Sequence, residues 1–362
     1  MIWIRADGGR EIGMGHVMRC LAIGTALKNR GEKICFLLAD DSVAAFLEEK
    51  GFSYRILSSS YRKMEEELDR LAGILEQEGP GTESAVFLAD SYFVTATYVE
   101  GVRRRMPVAF LDDMGRTDLL VDLLVNYNIF AEESLYQKGE KLSPRLLLGT
   151  RYAPLRQEFS KVPYQVRKQA NRVLITTGGS DRYNLAGQIL AEALEHSETA
   201  DMEYDVVDGA FNVHSPYLRE LEKRHDNVHI YSNVAKMAEL MRRCDMAVTA
   251  GGSTMYELSA IGVPIICFSF VDNQEKIVEG FKRRGIVPYG GDYLRQGRSM
   301  ISEIVNAIGV LRQDSGLRTV YSDKLRQLVD GQGADRIAEK LTGLKHIRRM
   351  ICADGIGMSG RM

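Results

Sequence analysis

The chain has 362 residues, of which 45% are hydrophobic and 27% charged, a composition typical of a globular enzyme long enough for two domains. Its formal net charge of -2 predicts neither a nucleic-acid-binding protein nor a membrane-surface protein. The five cysteines are scattered without a CxxC pair, which favours reduced residues in a cytoplasmic protein. Arg5 and Asp7 interrupt the first apolar run, and no apolar stretch approaches the ~20 residues that span a bilayer, so we expect neither a signal peptide nor a membrane segment.

Short apolar runs alternate with longer helical patterns through the first half of the chain. The predicted strands are 2–4, 34–38, 53–57, 85–89, 108–111, 123–125 and 146–148. The predicted helices are 16–29, 42–50, 62–77 and 95–105. This alternation predicts βαβ units in an α/β fold with a largely parallel sheet.

A polar, basic stretch at residues 160–171 interrupts the alternation and is interpreted as a linker between domains. The alternation then resumes, with strands at 172–176, 204–207, 228–230, 246–249 and 264–268. Helices are predicted at 184–196, 216–225, 234–243, 254–261 and 273–283, and three more between 299 and 344. We therefore expect an N-terminal domain at 1–160, a C-terminal domain at 161–345 and a disordered tail at 346–362.

The loop after the first strand carries the most informative residues of the chain. It contains Gly13 and Gly15, and it delivers His16 to the start of a helix. Ligands bind at the carboxyl ends of parallel strands, and a histidine has an ordinary pKa of about 6.5, which suits a general base. We therefore interpret His16 as catalytic rather than as a helix cap. Arg5 and Arg19 either bind a diphosphate or pair with nearby carboxylates, and the residues leave both readings open.

Two glycine-rich turns follow strands in the second half. The first, which contains Gly179, either cradles a phosphate or forms a tight turn in which Ser180 or Asp181 caps the next helix. The second contains Gly252, Ser253 and Thr254 and opens a helix whose first amides can hold a diphosphate without a metal. Glu257, one turn into that helix, can accept both hydroxyls of a ribose or take part in a capping box. Asn273 and Gln274 follow the next strand, where they contact a sugar or cap a helix.

The second turn and its surroundings, Gly-Gly-Ser-x-x-x-Glu-x-x-Ala-x-Gly-x-Pro with a Gln ten residues later, resemble the nucleotide-sugar half of GT-B enzymes such as the UDP-N-acetylglucosamine transferase of peptidoglycan synthesis. The N-terminal pattern, Arg5-x-Asp7 and then Ile12-Gly13-x-Gly15-His16-x-x-Arg19, resembles the UDP-2,4-diacetamido-2,4,6-trideoxy-β-L-altropyranose hydrolases of pseudaminic acid biosynthesis and their spore-coat polysaccharide relatives. The resemblance covers residues 1 to about 290.

The resemblance implies a GT-B fold, with two Rossmann-like domains facing across a cleft, and hydrolysis of a UDP-sugar without a metal or cofactor. It implies that His16 is the catalytic histidine and that the nucleotide lies against Gly252, Ser253, Thr254 and Glu257. Asp7, Tyr92 and Asn273 would line the sugar side. We group Asp7 with His16 as catalytic. The remaining expected substrate-binding residues are Gly13, Gly15, Arg19, Gly179 and Gln274.

Two other functions fit the same residues. A GT-B glycosyltransferase would pass a UDP-amino sugar to an acceptor instead of to water. A non-catalytic nucleotide-sugar-binding protein would bind UDP without turnover. The partner expected in every case is a small-molecule UDP-sugar, while the sugar's stereochemistry and the oligomeric state are not readable from the sequence.

Overall fold

The structure, a computed structural model, describes residues 1–9, 11–78, 85–136 and 144–355, with the side chains of the last helix described to residue 345. The chain forms two compact units. The first combines Met1–Arg156 with Gln332–Met362, and the second is Gln157–Gly331. The boundary therefore falls a few residues before the expected position, and the segment after residue 331 joins the first unit rather than the second.

The first unit is built on a seven-stranded parallel sheet. Its order is β3-β2-β1-β4-β5-β6-β7, so the chain begins in the middle and extends outward in both directions. Nearly continuous apolar runs form the central strands because both faces of the sheet are covered. The strands are β1 (Ile2–Ala6), β2 (Ile34–Leu38), β3 (Ser53–Ile56), β4 (Val86–Asp90), β5 (Val108–Leu111), β6 (Leu123–Asn126) and β7 (Arg145–Leu148).

Among the described residues, five α-helices belong to this unit. They are α1 (Gly15–Asn29), α2 (Ala44–Glu49), α3 (Leu68–Gln77), α4 (Ala96–Arg103) and the last helix of the chain, α13 (Gly333–Gly355). The single helix predicted over 62–77 is divided into a 3-10 turn at Met64–Glu67 followed by α3.

The last helix completes the core of the first unit. Its residues Ile337, Ala338 and Leu341 are fully buried in the same apolar cluster as Val17 and Ile23 of α1. This apolar face explains why the segment leaves the second unit, to which sequence analysis assigned it. The helix extends to Gly355, into the segment expected to be disordered, and residues 356–362 lie outside the described part of the chain.

The second unit repeats the plan with a six-stranded parallel sheet of order β10-β9-β8-β11-β12-β13. The strands are β8 (Arg172–Thr176), β9 (Glu203–Asp208), β10 (Val228–Ser232), β11 (Met246–Ala250), β12 (Ile265–Ser269) and β13 (Gly290–Asp292). The helices are α5 (Leu185–Glu195), α6 (Ser215–Arg224), α7 (Met237–Arg242), α8 (Ser253–Ile261), α9 (Asp272–Arg283), α10 (Tyr293–Gln296), α11 (Arg298–Gln313) and α12 (Ser315–Leu328). Strand β13 was not predicted, because its Gly-Gly-Asp sequence carries no strand signal.

The stretch interpreted as a linker is anchored to the second unit. Arg318 of α12 is fully buried and donates hydrogen bonds to the carbonyls of Arg167 and Lys168. Arg326 of the same helix donates to the carbonyls of Ile261 and Tyr164. Two arginines of α12 therefore hold this segment in place although it contains no regular element.

In both sheets the direction in which successive strands are added reverses beside the first strand. This reversal determines where ligands can bind. In the first unit β1 lies between β2 and β4, and in the second β8 lies between β9 and β11. The loops at the carboxyl ends of such strands diverge and leave a crevice at the sheet edge. The His16 loop follows β1, and the two glycine-rich turns follow β8 and β11. In the part of the chain that the structure describes, no helix combines the length and apolar character of a membrane span.

Candidate functional site

The loop between β1 and α1 is folded back on itself by a pair of backbone hydrogen bonds. Gly9 and Gly13 each donate an amide to the other's carbonyl, at 3.0 and 2.8 Å. Gly13 has a φ of 75°, a conformation that favours glycine. The turn lets α1 begin at Gly15, which places the buried side chain of His16 in the first helical turn.

His16 is held by a carboxylate from the neighbouring strand. Its Nδ1 lies 2.6 Å from Oδ1 of Asp90, the last residue of β4. Nη2 of Arg19 lies 3.1 Å from the same nitrogen but donates to Oδ1 of Asp90. Because an ionised carboxylate only accepts hydrogen bonds, we assign the proton of the His16–Asp90 contact to Nδ1. Nε2 is the remaining acceptor, and no described residue hydrogen-bonds to it. The arrangement is therefore an imidazole with a fixed tautomer and a free basic nitrogen.

Arg19 holds the carboxylate in turn. Its Nε donates to Oδ2 of Asp90 at 2.6 Å, and its Nη2 donates to Oδ1. Its Nη1 donates to Asp113 at 2.6 Å and to the hydroxyl of Tyr127 at 2.8 Å. Sequence analysis left open whether Arg19 binds a diphosphate or pairs with carboxylates, and the structure shows the pairing.

The charges of this cluster keep Asp90 ionised. Burial alone would raise the pKa of Asp90, but the charge of Arg19, and then that of His16, lowers it well below its ordinary range. Asp90, Asp113 and Arg19 together carry a net charge of about -1 beside the imidazole of His16. The side chains around His16 therefore form one connected network of charged hydrogen-bonding groups.

Asp7 lies in a second, adjoining cluster. One of its carboxylate oxygens pairs with Arg5 and the other accepts the amide of Ala39 at 2.8 Å. Arg5 is fully buried and makes two further bonds to Glu67, at 2.8 and 3.0 Å. Tyr98 and Ser59 also donate to Glu67. No hydrogen bond or ion pair joins Asp7 to His16 among the described side chains. Arg5, like Arg19, is paired with carboxylates.

Tyr92 lies directly beside His16. Its ring meets the imidazole edge-to-face, with 4.6 Å between ring centroids, and the side chain is 42% exposed. A cavity of about 10 Å³, roughly the space of one water molecule, is lined by residues that include His16, Ser91, Tyr92 and Asp113. The surroundings of His16 therefore combine room for a water with an exposed aromatic ring.

The glycine turn before α8 is open at the helix N-terminus. The N-cap residue of α8 is Gly252, which has no side chain to cap the helix. The amide of Met255 bonds back to the carbonyl of Gly252, whereas the amides before it have no partner within the helix. A methyl group on Gly252 would meet no atom within 4 Å, and Ser253 is exposed. Free amides and a helix dipole favour an anion here.

The loop after β12 adds Gln274 and Asn273 to the same sheet edge. The side-chain oxygen of Gln274 accepts the amide of Phe270 at 3.1 Å, which fastens the loop. Asn273 is exposed, and neither it nor Asp272 caps α9. Glu257 is half-buried one turn into α8.

The first glycine turn is shaped by backbone packing and by a cap. Both carboxylate oxygens of Asp181 accept amides of α5, those of Leu185 at 2.7 Å and Ala186 at 2.9 Å, which is the capping alternative. The carbonyl of Gly179 accepts the amide of Phe211 at 2.9 Å. A methyl group on Gly209 would lie 2.3 Å from the carbonyl oxygen of Gly178, so the two loops touch through their backbones.

Two residues of the site were not singled out by sequence analysis. They are Asp90 and Glu67, to which the sequence analysis gave no role. The signal for Asp90 was its place at the end of a strand. Strand β4 pairs with β1 in parallel, with Ala6 opposite Asp90. The residues that follow Ala6 therefore lie close to Asp90.

No family model matches the chain. An uncharacterised protein of Methanocaldococcus jannaschii is 30% identical over 278 residues, which are 73% of this chain and 54% of that protein, so the chain spans about half of that relative's length. The spore coat polysaccharide biosynthesis protein SpsG of Bacillus subtilis is 27% identical over 356 residues, covering 95% of this chain and 98% of SpsG. The UDP-2,4-diacetamido-2,4,6-trideoxy-beta-L-altropyranose hydrolase of Campylobacter jejuni is 22% identical over 289 residues, covering 78% of this chain and 97% of that enzyme.

Solved structures show the same architecture. MurG of Acinetobacter baumannii superposes with a TM-score of 0.66 at 13% identity, over 94% of this chain and 99% of that one. A likeness at this identity concerns the fold alone. The predicted α/β fold of the GT-B type is therefore confirmed. The sequence resemblance to the hydrolase and spore-coat proteins is confirmed by the named relatives.

Proposed function

Because the chain is related over most of its length to SpsG and to a UDP-2,4-diacetamido-2,4,6-trideoxy-altropyranose hydrolase, we propose that it hydrolyses a UDP-linked 2,4-diacetamido-2,4,6-trideoxy hexose to the free sugar and UDP. Pseudaminic acid biosynthesis is the corresponding pathway. The observation that carries the proposal is the pairing of His16 with buried Asp90 at the sheet edge, with Nε2 left unbound. Such a group suits a reaction that needs a base near neutral pH.

In the proposed reaction His16 is the base that activates water. A water held at Nε2 gives its proton to that nitrogen while its oxygen attacks the anomeric carbon. The bond between this carbon and the β-phosphate oxygen breaks, and its electron pair leaves with UDP. Asp90 keeps the proton on Nδ1 and stabilises the imidazolium as it forms, and Arg19 keeps Asp90 ionised. The water-sized cavity beside His16 supports this assignment.

The turn of Gly252, Ser253 and Thr254 is the proposed site of the diphosphate. Its amides stabilise the negative charge that develops on the leaving group, so departure of UDP needs no metal ion. Glu257 is the proposed ribose contact. Gly179 and Gln274 act by shaping the loops of this edge.

The other predicted residues take supporting roles in the proposal. Tyr92 contacts the sugar beside His16, and Asn273 remains a proposed sugar contact because its side chain is exposed. Asp7, which sequence analysis grouped with His16, has both oxygens occupied, so we assign it to holding the end of β1. Gly13 and Gly15 provide the turn that delivers His16.

The test is release of UDP from UDP-2,4-diacetamido-2,4,6-trideoxy-β-L-altrose without an acceptor and with EDTA present. UDP-N-acetylglucosamine serves as the substrate control. We expect release from the first substrate alone, an unchanged rate with EDTA, and loss of most turnover in His16→Asn with UDP binding retained. His225→Asn is the matched variant, because the side chain of His225 makes no hydrogen bond to a described residue, and it should keep full activity.

Other results would redirect the assignment. UDP binding without release would favour a glycosyltransferase that awaits its acceptor, which the fold also supports. UDP binding without turnover when acceptors are supplied would favour a non-catalytic binding protein. In that case His16→Asn would leave UDP binding unchanged. A rate abolished by EDTA and restored by Mg²⁺ would contradict the role given to the turn before α8.

A further inference from the structure

A second concave site lies in the second unit. We name it the basic groove and define it by Arg167, Tyr231, Lys236, Arg242 and Arg243, with Glu239, Val234 and Leu240 completing its walls. It is formed by α7, the end of the edge strand β10 and the anchored segment before β8. Its volume is about 450 Å³, which is in the range of small-molecule sites. It shares no residue with either glycine turn.

Two arginines of the groove are held in place from behind. Arg243 donates its Nε to Asp205 at 2.9 Å and its Nη2 to the hydroxyl of Tyr231. Arg167 donates its Nη1 to Asp245 at 2.7 Å and to the carbonyl of Arg243 at 2.8 Å. Both aspartates are buried, whereas the guanidinium groups are about half exposed. The fixed arginines therefore keep donors that are not spent, Nη1 of Arg243 and Nη2 of Arg167.

Arg242 supplies the charge that no carboxylate of the groove compensates, since Asp205 and Asp245 pair with Arg243 and Arg167, and Glu239 pairs with Lys236. Arg242 is exposed and has no ion-pair or hydrogen-bond partner among the residues described. Lys236 bonds to Oε1 of Glu239 at 3.2 Å, so the one carboxylate that lines the groove pairs with Lys236. Exposed arginines on other helices, such as Arg104 and Arg224, pair with a carboxylate four residues away. Four cations and one carboxylate line the groove, in a chain whose net charge is -2.

We propose that the basic groove binds a small phosphorylated organic anion. Arg242, Arg167 and Arg243 contact its phosphate oxygens, because guanidinium groups match phosphate geometry and two of the three are already fixed. Tyr231 and Leu240 give an apolar wall for the organic part. This proposal does not rest on the proposed hydrolysis, because the groove shares no residue with the glycine turns or with the His16 cluster.

The test is calorimetric titration of the intact protein with inorganic tripolyphosphate in about 0.1 M salt, with UDP present to occupy the glycine turn. We expect one binding event that weakens as salt is added. The double variant Lys236→Ala/Arg242→Ala should weaken it at least tenfold. Both side chains are exposed, so the variant should melt at the same temperature as the native protein and release UDP at the same rate.

The matched control is Lys223→Ala/Arg224→Ala on α6, which removes the same two charges from an exposed helix outside the groove. It should leave tripolyphosphate binding unchanged. Absence of binding, or equal weakening by the two double variants, would overturn the proposal. A failure of UDP release in the native protein would affect the proposed function alone, since the groove is read out by binding.

Discussion

Replacing Asp90 by Asn is the sharpest test of how His16 is held. The amide keeps the size of the side chain but removes the negative charge beside the imidazole. Two unit charges about 4 Å apart interact by about 4 kcal/mol at an effective dielectric constant of about 20. Since proton transfer is partly complete in the transition state, we expect a loss of about 2–4 kcal/mol. This corresponds to a kcat lower by roughly 30- to 1000-fold.

The assay is UDP release at saturating substrate, with kcat and KM measured separately. Asp90 is buried behind His16, so KM should change little. The control variant is Asp113→Asn, which removes another carboxylate partner of Arg19 but does not touch the histidine. It should lower kcat by less than about tenfold. If Asp90→Asn kept kcat within threefold of the native value, or if Asp113→Asn lost as much, the reasoning about His16 would be refuted.

The remaining predictions concern stability and the two clusters. Glu67→Ala breaks a fully buried ion pair and should lower the free energy of unfolding by about 3–5 kcal/mol in urea, whereas exposed Glu66→Ala should have almost no effect. Gly252→Ala should leave stability unchanged, because its methyl group meets open space, but weaken UDP binding at least tenfold in a titration. Gly251→Ala should instead unfold at lower urea concentration, because its methyl group would lie 2.7 Å from a neighbouring side chain. The pKa of Asp90 is lowered in the folded state, so its contribution to stability is present above about pH 4, the unfolded value, and is lost as the pH falls toward the folded value. Urea midpoints at pH 7 and pH 3 should therefore differ more for the native protein than for Asp90→Asn, and equal differences would contradict the assignment.

The position of His16 could be predicted from the sequence because every signal for it is local. A short apolar strand, a glycine-rich loop and a helical pattern follow one another within a few residues. The same holds for the turn at Gly252. Alternation of strands and helices along the chain likewise sufficed for the fold class.

What the sequence left open depends on contacts between distant segments. His16 and Asp90 are 74 residues apart, and their contact requires that β4 pair with β1. Whether Arg19 pairs with carboxylates also depends on the tertiary fold, because its partners Asp90, Asp113 and Tyr127 come from three different segments. The amphipathic pattern of α13 predicts a buried face but not which of two apolar cores will bury it. Local patterns therefore identified elements and turns, and the topology decided their partners.

The discontinuity of the first unit affects how this chain can fold during synthesis. Its N-terminal part, Met1–Arg156, leaves the ribosome long before α13, which supplies Ile337 and Leu341 to the same core. Residues 157–331 are made in between, which takes on the order of ten to thirty seconds. The second unit is continuous and can fold as soon as it emerges. The unit that carries His16 must therefore wait with an open apolar face, although its residues are translated first.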